Sequence, residues 1–291
     1  LFLNGDILNI AKKRMWWKNL FLDFGRIFLR LLNMKKVVIK IGGSLAVDEA
    51  KLAEFVAAVS RLPALGFQVV LVHGGGKEIN ENIGLLKEEP QFIDGLRVTT
   101  PSIMKMVEMT LSGAVNKKLV RLFLQNDCLA VGISGVDGGL FKVVKRKGNV
   151  DLGLVGDICS VDTKVIDALW NAGFIPVVSP ISFGNGLSWN VNADTAASEL
   201  ASALSVDQFV LVSDVPGVMD LEKKVLPELS EELAEKLIVD GVISGGMIPK
   251  VRDSFRSIKQ GIQAIHIVGF NGLERFVQQM QGDINDGTIL R

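Results

Sequence analysis

The chain has 291 residues, 48% hydrophobic and 22% charged, with 32 Lys and Arg against 32 Asp and Glu. It is too apolar for a disordered chain, and a formal charge of zero gives no global field for nucleic acid. Two separate cysteines (Cys128, Cys159) and two histidines (His73, His266) form neither a zinc pattern nor a disulfide framework, which fits a reduced, cytoplasmic setting.

Residues 1–33 carry six Lys/Arg against Asp6 and Asp23, so residues 34–291 carry the opposite excess. Trp17, Leu20, Phe21, Phe24, Ile27, Phe28, Leu31 and Leu32 recur at helical spacing, with Arg14, Lys18, Arg26 and Arg30 on the other side. That spacing predicts an amphipathic helix with a basic face. Three readings fit it: a non-native extension upstream of a start at Met34, an oligomerisation helix, or a helix lying on a membrane surface. It lacks the uninterrupted apolar centre of a secretory signal, and no run of about 18 uncharged apolar residues offers a membrane span.

From Met34 onward strands and helices alternate. Strand 36–41 ends in Gly42-Gly43-Ser44 before a helix near 48–61. Strand 67–72 ends in His73-Gly74-Gly75-Gly76 before a helix near 77–84. A loop with Pro90 and Gly95 reaches Arg97, and a long helix runs from Pro101 to about Gln125, with proline in its first turn. Strand 129–133 is followed by glycine-punctuated β structure over 140–161, read as antiparallel. Helix 162–172, strand 174–179, a hairpin over 183–192 and a helix over 194–204 come next. Strand 208–213, helices near 230–240 and 247–260, strand 263–268 and a helix near 272–281 close the chain. Such alternation predicts a mainly parallel sheet with helices on both faces, whose ligands bind beyond the carboxyl ends of the strands. A lobe boundary is expected near 205–207, dividing 34–206 from 207–291.

Lys40 stands in an otherwise apolar strand, VVIKIGGS, where a charge is costly unless an anion meets it. The glycines that follow it, and those at 74–76, let backbone N–H groups approach an anion at a helix start. Neither GxxxxGK[ST] nor GxGxxG occurs after a strand, which disfavours a P-loop kinase and a dinucleotide-binding dehydrogenase. Lys250, in GGMIPK, is a second cation, read either as a solvated helix lysine or as an anion ligand. Asp194, in NVNADTAA, is read either as a helix N-cap or as an acid serving both lysines, with Asn190 and Asn192 turned to the same cleft. His73 reads as a packing or backbone-bonding group, and both cysteines read as buried.

VVIKIGGS, VHGGGKEI, GLRVT, LSGAVNKKLV, NVNADTAA, VLVSDVPGVM and GGMIPKV, in this order and spacing, resemble the amino acid kinase family over residues 36–291. The resemblance is greatest to the branch that phosphorylates the side-chain carboxylate of N-acetyl-L-glutamate with ATP and Mg²⁺ in arginine biosynthesis. It implies a three-layer αβα sandwich with an open, mainly parallel sheet, an amino-acid and dimerisation lobe (34–206) and an ATP lobe (207–291). By the same resemblance Lys40 and Lys250 stabilise the phosphoryl group in transit and Asp194 orients them. Gly42 and Gly43 contact the nucleotide, as do Asp214, Val215, Pro216, Gly217, Val218, Met219, Val242, Ile243 and Ser244. Gly75, Gly76, Arg97 and Asn190 hold the acyl-amino acid. A homodimer is implied, or a hexamer if residues 15–32 act as the N-terminal helix of arginine-inhibited members. Kinases of N-succinylglutamate or carrier-bound aminoadipate, and a non-catalytic amino-acid or nucleotide sensor, are the alternatives within the same fold.

Overall fold

The computed structural model describes residues 34–42, 45, 48–85, 87–93, 95–245 and 247–291. The helix expected within 1–33 and the nucleotide-contact residue Gly43 lie outside the described residues.

The elements follow the expected alternation. They are β1 (Lys35–Ile41), α1 (Glu49–Arg61), β2 (Phe67–His73), α2 (Gly76–Gly84), β3 (Phe92–Ile93), β4 (Leu96–Arg97) and α3 (Pro101–Glu108). Then come α4 (Asn116–Gln125), β5 (Ala130–Ser134), β6 (Phe141–Lys145), β7 (Gly156–Val161), α5 (Lys164–Asn171), β8 (Ile175–Ser179), β9 (Ile181–Gly184), β10 (Leu187–Asn190) and α6 (Ala193–Leu204). The last are β11 (Gln208–Ser213), β12 (Glu228–Leu229), α7 (Glu231–Val239), α8 (Met247–Lys259), β13 (Ile265–Gly269), α9 (Leu273–Gln281) and β14 (Thr288–Leu290).

Eight strands form the central sheet in the order β12-β14-β13-β11-β1-β2-β8-β5. The β1–β11, β11–β13, β2–β8 and β5–β8 pairs are parallel, whereas β14 runs antiparallel to β13 and carries β12 parallel to itself at the edge. β1 and β2 are buried on both faces because their sequences are near-continuous apolar runs, as a parallel sheet between helical layers requires. Residues 36–291 pack as one compact unit.

Period-two alternation along β1 decides where its lysine goes. Val37, Ile39 and Ile41 face the layer built from α1, α4 and α9, beside Phe55, Phe123 and Phe276. Val38 faces the opposite layer, in which α6 buries Ala196, Ala197, Leu200 and Ala201. Lys40 shares the parity of Val38 and so comes out under the start of α6. Small residues on α6 let that helix lie close to the sheet.

Three features depart from or extend the expected pattern. The helix expected over 101–125 is interrupted by wide π-helical turns at Met109–Val115, between α3 and α4. Within and just past those turns, Leu111 packs toward Gly75 and Asn116 turns fully inward. A 3.6-residue pattern has no sequence signature for such turns. The β structure expected at 140–161 pairs antiparallel as β6 and β7, in a separate four-stranded sheet with β9 and β10. Both cysteines were expected to be buried; Cys128 is half-buried and Cys159 exposed. Cys159 lies on β7, which carries few core positions.

Candidate active site

The end of β1 brings Lys40 to Asp194. Their Nζ and Oδ1 atoms lie 2.8 Å apart. The lysine is 8% exposed. At that distance the two form a direct ion pair, and an ammonium has three N–H donors, more than one carboxylate oxygen takes up. Asp194 is available because it does not cap its helix. Asn192 is the N-cap of α6, its Oδ1 accepting from the N–H groups of Asp194 at 2.8 Å and Thr195 at 3.2 Å. Gly42 lies directly under the ammonium, where a Cβ would stand 2.8 Å from Nζ. A side chain there would displace the ammonium from its present position.

β1 and β11 run in parallel with Lys40 opposite Leu211. Two residues further on lie Gly42 and Ser213, so Gly42 and the start of the 214–219 turn emerge side by side. Of that turn, Asp214 and Pro216 are exposed, Val215 and Met219 half-buried, and Gly217 and Val218 buried. The backbone of Val218 is held in place: its N–H donates to Thr288 Oγ1 at 2.8 Å, and its carbonyl accepts from Leu226 N–H at 2.8 Å. Gly217 is needed for close approach, since a Cβ there would lie 2.7 Å from Val225 Cγ1. Past α7, Ile243 is in the core, Val242 half-buried and Ser244 exposed. Lys250 on α8 lines the same hollow of about 450 Å³ as Asp194. No carboxylate pairs with Lys250 among the described residues, so the site joins Lys40 to Asp194 directly and leaves Lys250 facing them.

A second cavity, of about 180 Å³, opens on the β2 side of Lys40. Gly74, Gly75, Gly76, Arg97, Asn190 and Asn192 contribute its polar wall, and Ile79, Phe92, Leu111, Val155 and Pro180 its apolar one. Gly75 caps α2, so backbone N–H groups and the positive helix end point at the cavity. Arg97 is buried; its Nη2 donates to Asn80 Oδ1 at 2.6 Å and to Gly76 O at 3.3 Å. Its Nη1 is buried with no partner among the described residues. Burial pushes its pKa down, although a guanidinium stays charged. Asn190 donates to Thr99 Oγ1 at 3.1 Å, and Thr99 donates to the carbonyl of Arg97 at 2.9 Å.

Sequence reasoning passed over Asn80, Thr99, Asn116 and Leu111. Asn80 directly follows a recognised block, Thr99 closes one, and Leu111 and Asn116 lie inside another, Asn116 as a polar residue on an otherwise apolar helical face. That was the signal available. His73 bonds backbone as expected, its Nδ1 2.9 Å from Gly74 O.

His73 also sets a pH dependence. Burial lowers its pKa from 6.5 to about 4. Between those values the unfolded chain binds the proton and the folded chain does not, so stability rises with pH across the window and is fully present above it. On acidification from pH 7, unfolding free energy is expected to fall, with this ring contributing up to about 1.4 kcal/mol per pH unit. Denaturant titrations at several pH values check this, and His73→Asn should flatten the slope.

Two lysines and two glycine-bearing loops thus gather at the carboxyl edge of a parallel sheet, without a P-loop. The class so defined is a phosphotransferase of the αβα type. The chain belongs to the amino acid kinase family, whose sequence profile matches residues 35–269. It is 40% identical over 273 residues to the acetylglutamate kinase of Paracidovorax citrulli, covering 91% of this chain and 92% of that one. It is 38% identical to the acetylglutamate kinase of Delftia acidovorans, covering 98% and 99%. Among solved structures, the carbamate kinase from Giardia lamblia bound to AMP-PNP shares the fold with a TM-score of 0.64. At 19% identity, covering 88% of this chain and 98% of that one, that likeness is one of fold alone.

Proposed function

We propose that the chain transfers the γ-phosphoryl group of ATP to the side-chain carboxylate of N-acetyl-L-glutamate, giving an acyl phosphate in arginine biosynthesis. The observation that carries this reading, beside the identity to acetylglutamate kinases, is the Nη1 of Arg97, unpartnered among the described residues, on the cavity lined by Gly74–Gly76 and Asn190. That atom suits the α-carboxylate of an acyl-amino acid, with Asn190 and the N–H groups of Gly75 and Gly76 around the rest. The apolar wall of Ile79, Leu111 and Val155 suits a small acyl group.

The acceptor carboxylate is ionised at neutral pH, so no general base is needed. One of its oxygens bonds to the γ-phosphorus while the bond from phosphorus to the β,γ-bridging oxygen breaks, and ADP leaves with that electron pair. Lys40 meets the charge on the transferring group from the Gly42 side, held there by Asp194. Lys250 approaches from α8, and Gly42 and Gly43 present N–H groups to the phosphates. The turns at Asp214–Met219 and Val242–Ser244 form the nucleotide end of the site. Mg²⁺ bound to the nucleotide phosphates would supply screening of their charge, and the protein's part would be to hold those phosphates with Lys40, Lys250 and glycine N–H groups. Among the described residues no cluster of three His, Cys, Asp or Glu could hold a metal by itself, and phosphate-bound Mg²⁺ needs only one or two protein carboxylates.

Purified protein with ATP, Mg²⁺ and N-acetylglutamate is expected to form an acyl phosphate that hydroxylamine traps as a hydroxamate. Silence with that substrate and turnover of N-succinylglutamate, carrier-bound aminoadipate, aspartate or carbamate would move the assignment within the family. ATP binding without turnover of any acceptor would make the protein a sensor. The lobes proposed at 34–206 and 207–291 divide the two substrates between them, and the assembly proposed is a cytoplasmic homodimer, or a hexamer with residues 1–33, which light scattering distinguishes. No helix among the described residues is long and apolar enough to cross a membrane.

Gly75 gives a sharper local test. A Cβ there would stand 2.6 Å from Leu111 Cδ2 and 3.3 Å from Val115 Cγ2. Gly75→Ala is expected to push Leu111 into the acceptor cavity and raise KM for N-acetylglutamate several-fold, with KM for ATP within twofold. Equal changes in both constants would count against this placement of the acceptor.

A further inference from the structure

β2 ends on a histidine to which the reaction described above gives no task. His73 is 1% exposed. Besides the contact of Nδ1 with Gly74 O, its Nε2 lies 3.2 Å from Nδ2 of Asn116. A carbonyl only accepts, so the partners assign the proton to Nδ1 and leave Nε2 to accept from the asparagine amide. Asn116 is itself fully buried, and its Nδ2 also reaches Val177 O at 2.9 Å and Ile133 O at 3.3 Å. Its Oδ1 accepts from Lys117 Nζ at 2.9 Å, and that ammonium also donates to Gly132 O at 2.9 Å. The fold is shaped around this knot. A Cβ at Gly132 on β5 would stand 1.8 Å from Asn116 Oδ1, so glycine there is what lets the carboxamide lie between the strands.

The chain of bonds ends on the two peptide groups that flank the Cα of Gly74. The N–H of Gly74 is tied to Ile41 O on β1 at 3.1 Å, and its carbonyl to His73. In a planar trans peptide the N–H points opposite to the C=O, so a Gly74 carbonyl turned toward the histidine turns the N–H of Gly75 away from it. Gly74, Gly75 and Gly76 all line the acceptor cavity. Two free glycine torsions would otherwise let that peptide rotate.

We propose that His73, held by Asn116 and Lys117, is a positioning residue that fixes the Gly74–Gly75 peptide with the Gly75 N–H toward the bound acyl-amino acid. This rests on the acceptor site argued above. Burial keeps the ring neutral, which preserves the single tautomer that can donate to Gly74 and accept from Asn116 in the same state. The network joins β2, β5, β8 and α4 beneath the glycine loop, so the loop is set by the rigid sheet and not by the ligand.

Three variants test it. His73→Leu fills the space but bonds neither partner; KM for N-acetylglutamate is expected to rise about tenfold or more, about the worth of one hydrogen bond, with KM for ATP within twofold. His73→Asn can still donate to Gly74 O and is expected to recover most of that loss. Lys117→Met, at an exposed position, removes the donor to Asn116 Oδ1 and is expected to give a smaller shift in the same direction, with melting temperature as the folding control. A lower melting temperature with both KM values unchanged in His73→Leu would overturn the proposal, as would no recovery in His73→Asn. A second readout does not depend on the acceptor assignment. In ¹⁵N-glycine-labelled protein without ligand, the Gly75 amide signal should move or broaden in His73→Leu and stay in place in His73→Asn. An unmoved Gly75 signal in His73→Leu sinks the proposal even if the substrate proves to be a different carboxylate. A wild-type protein silent on N-acetylglutamate sinks only the assignment of that substrate.

Discussion

Lys40→Ala is expected to lower kcat by about 10²- to 10³-fold, the effect of removing one preorganised donor from a site of developing negative charge. The side chain is placed for that and for little else. It emerges from an apolar strand on the face covered by α6, meets Asp194 at 2.8 Å, and sits over a glycine that leaves room for phosphate oxygen. Its loss should spare the fold, because the Asp194 side chain left behind is 29% exposed and can be hydrated. Lys40→Arg should not rescue. A planar guanidinium needs more room than the ammonium has above Gly42, and its fork cannot keep the same contact with Asp194. Hydroxamate formation under saturating ATP and acceptor gives kcat directly, with melting temperature as the folding control. A Lys40→Ala protein that melts like the wild type and turns over within a few-fold of it would exclude Lys40 from the transfer step.

The contrast between Lys40 and Lys250 shows what could be read in advance. A lysine in a doubly buried strand announces itself, because the surrounding valines and isoleucines fix both its depth and its face. Lys250 lies on an amphipathic helix, where a lysine on the solvent side looks the same as one facing a cleft. The parallel sheet and its layers followed from long apolar runs and their spacing, and β11 falls on the expected residues 208–213. β12 and β14, of two and three residues, are too short to carry a periodicity. The assignment of cap and acid within NVNADTAA needed geometry: either Asn192 or Asp194 is a good capping type, and only the start of the helix at Ala193 decides that asparagine caps and aspartate is free. The knot under the glycine loop was hidden for another reason. Its members come from three strands and a helix, and its strictest requirement, glycine at 132, looks in sequence like any weak point in a strand.

Arg97 carries the second large effect. It is 7% exposed, stacks 4.7 Å over the ring of Phe92, and among the described residues satisfies only one side of its fork, through Asn80 and Gly76. A buried guanidinium with an unpartnered N–H is unfavourable until an anion arrives, so the cost of its burial in the empty site is recovered on binding. Arg97→Met, which keeps the stem and removes the charge, is expected to raise KM for N-acetylglutamate by roughly 10- to 100-fold, as a charge-assisted hydrogen bond is worth. KM for ATP should stay within twofold, and the melting temperature should not fall by much, because an unsatisfied buried polar group goes with the charge. 4-Acetamidobutanoate makes the assignment specific. It keeps the acceptor carboxylate and the acetamide and lacks only the α-carboxylate. The wild type should strongly prefer N-acetylglutamate over it, and Arg97→Met should lose most of that preference by weakening one substrate and not the other. If the variant discriminates as the wild type does, Arg97 does not hold the α-carboxylate, and the acceptor lies in the cavity in another orientation.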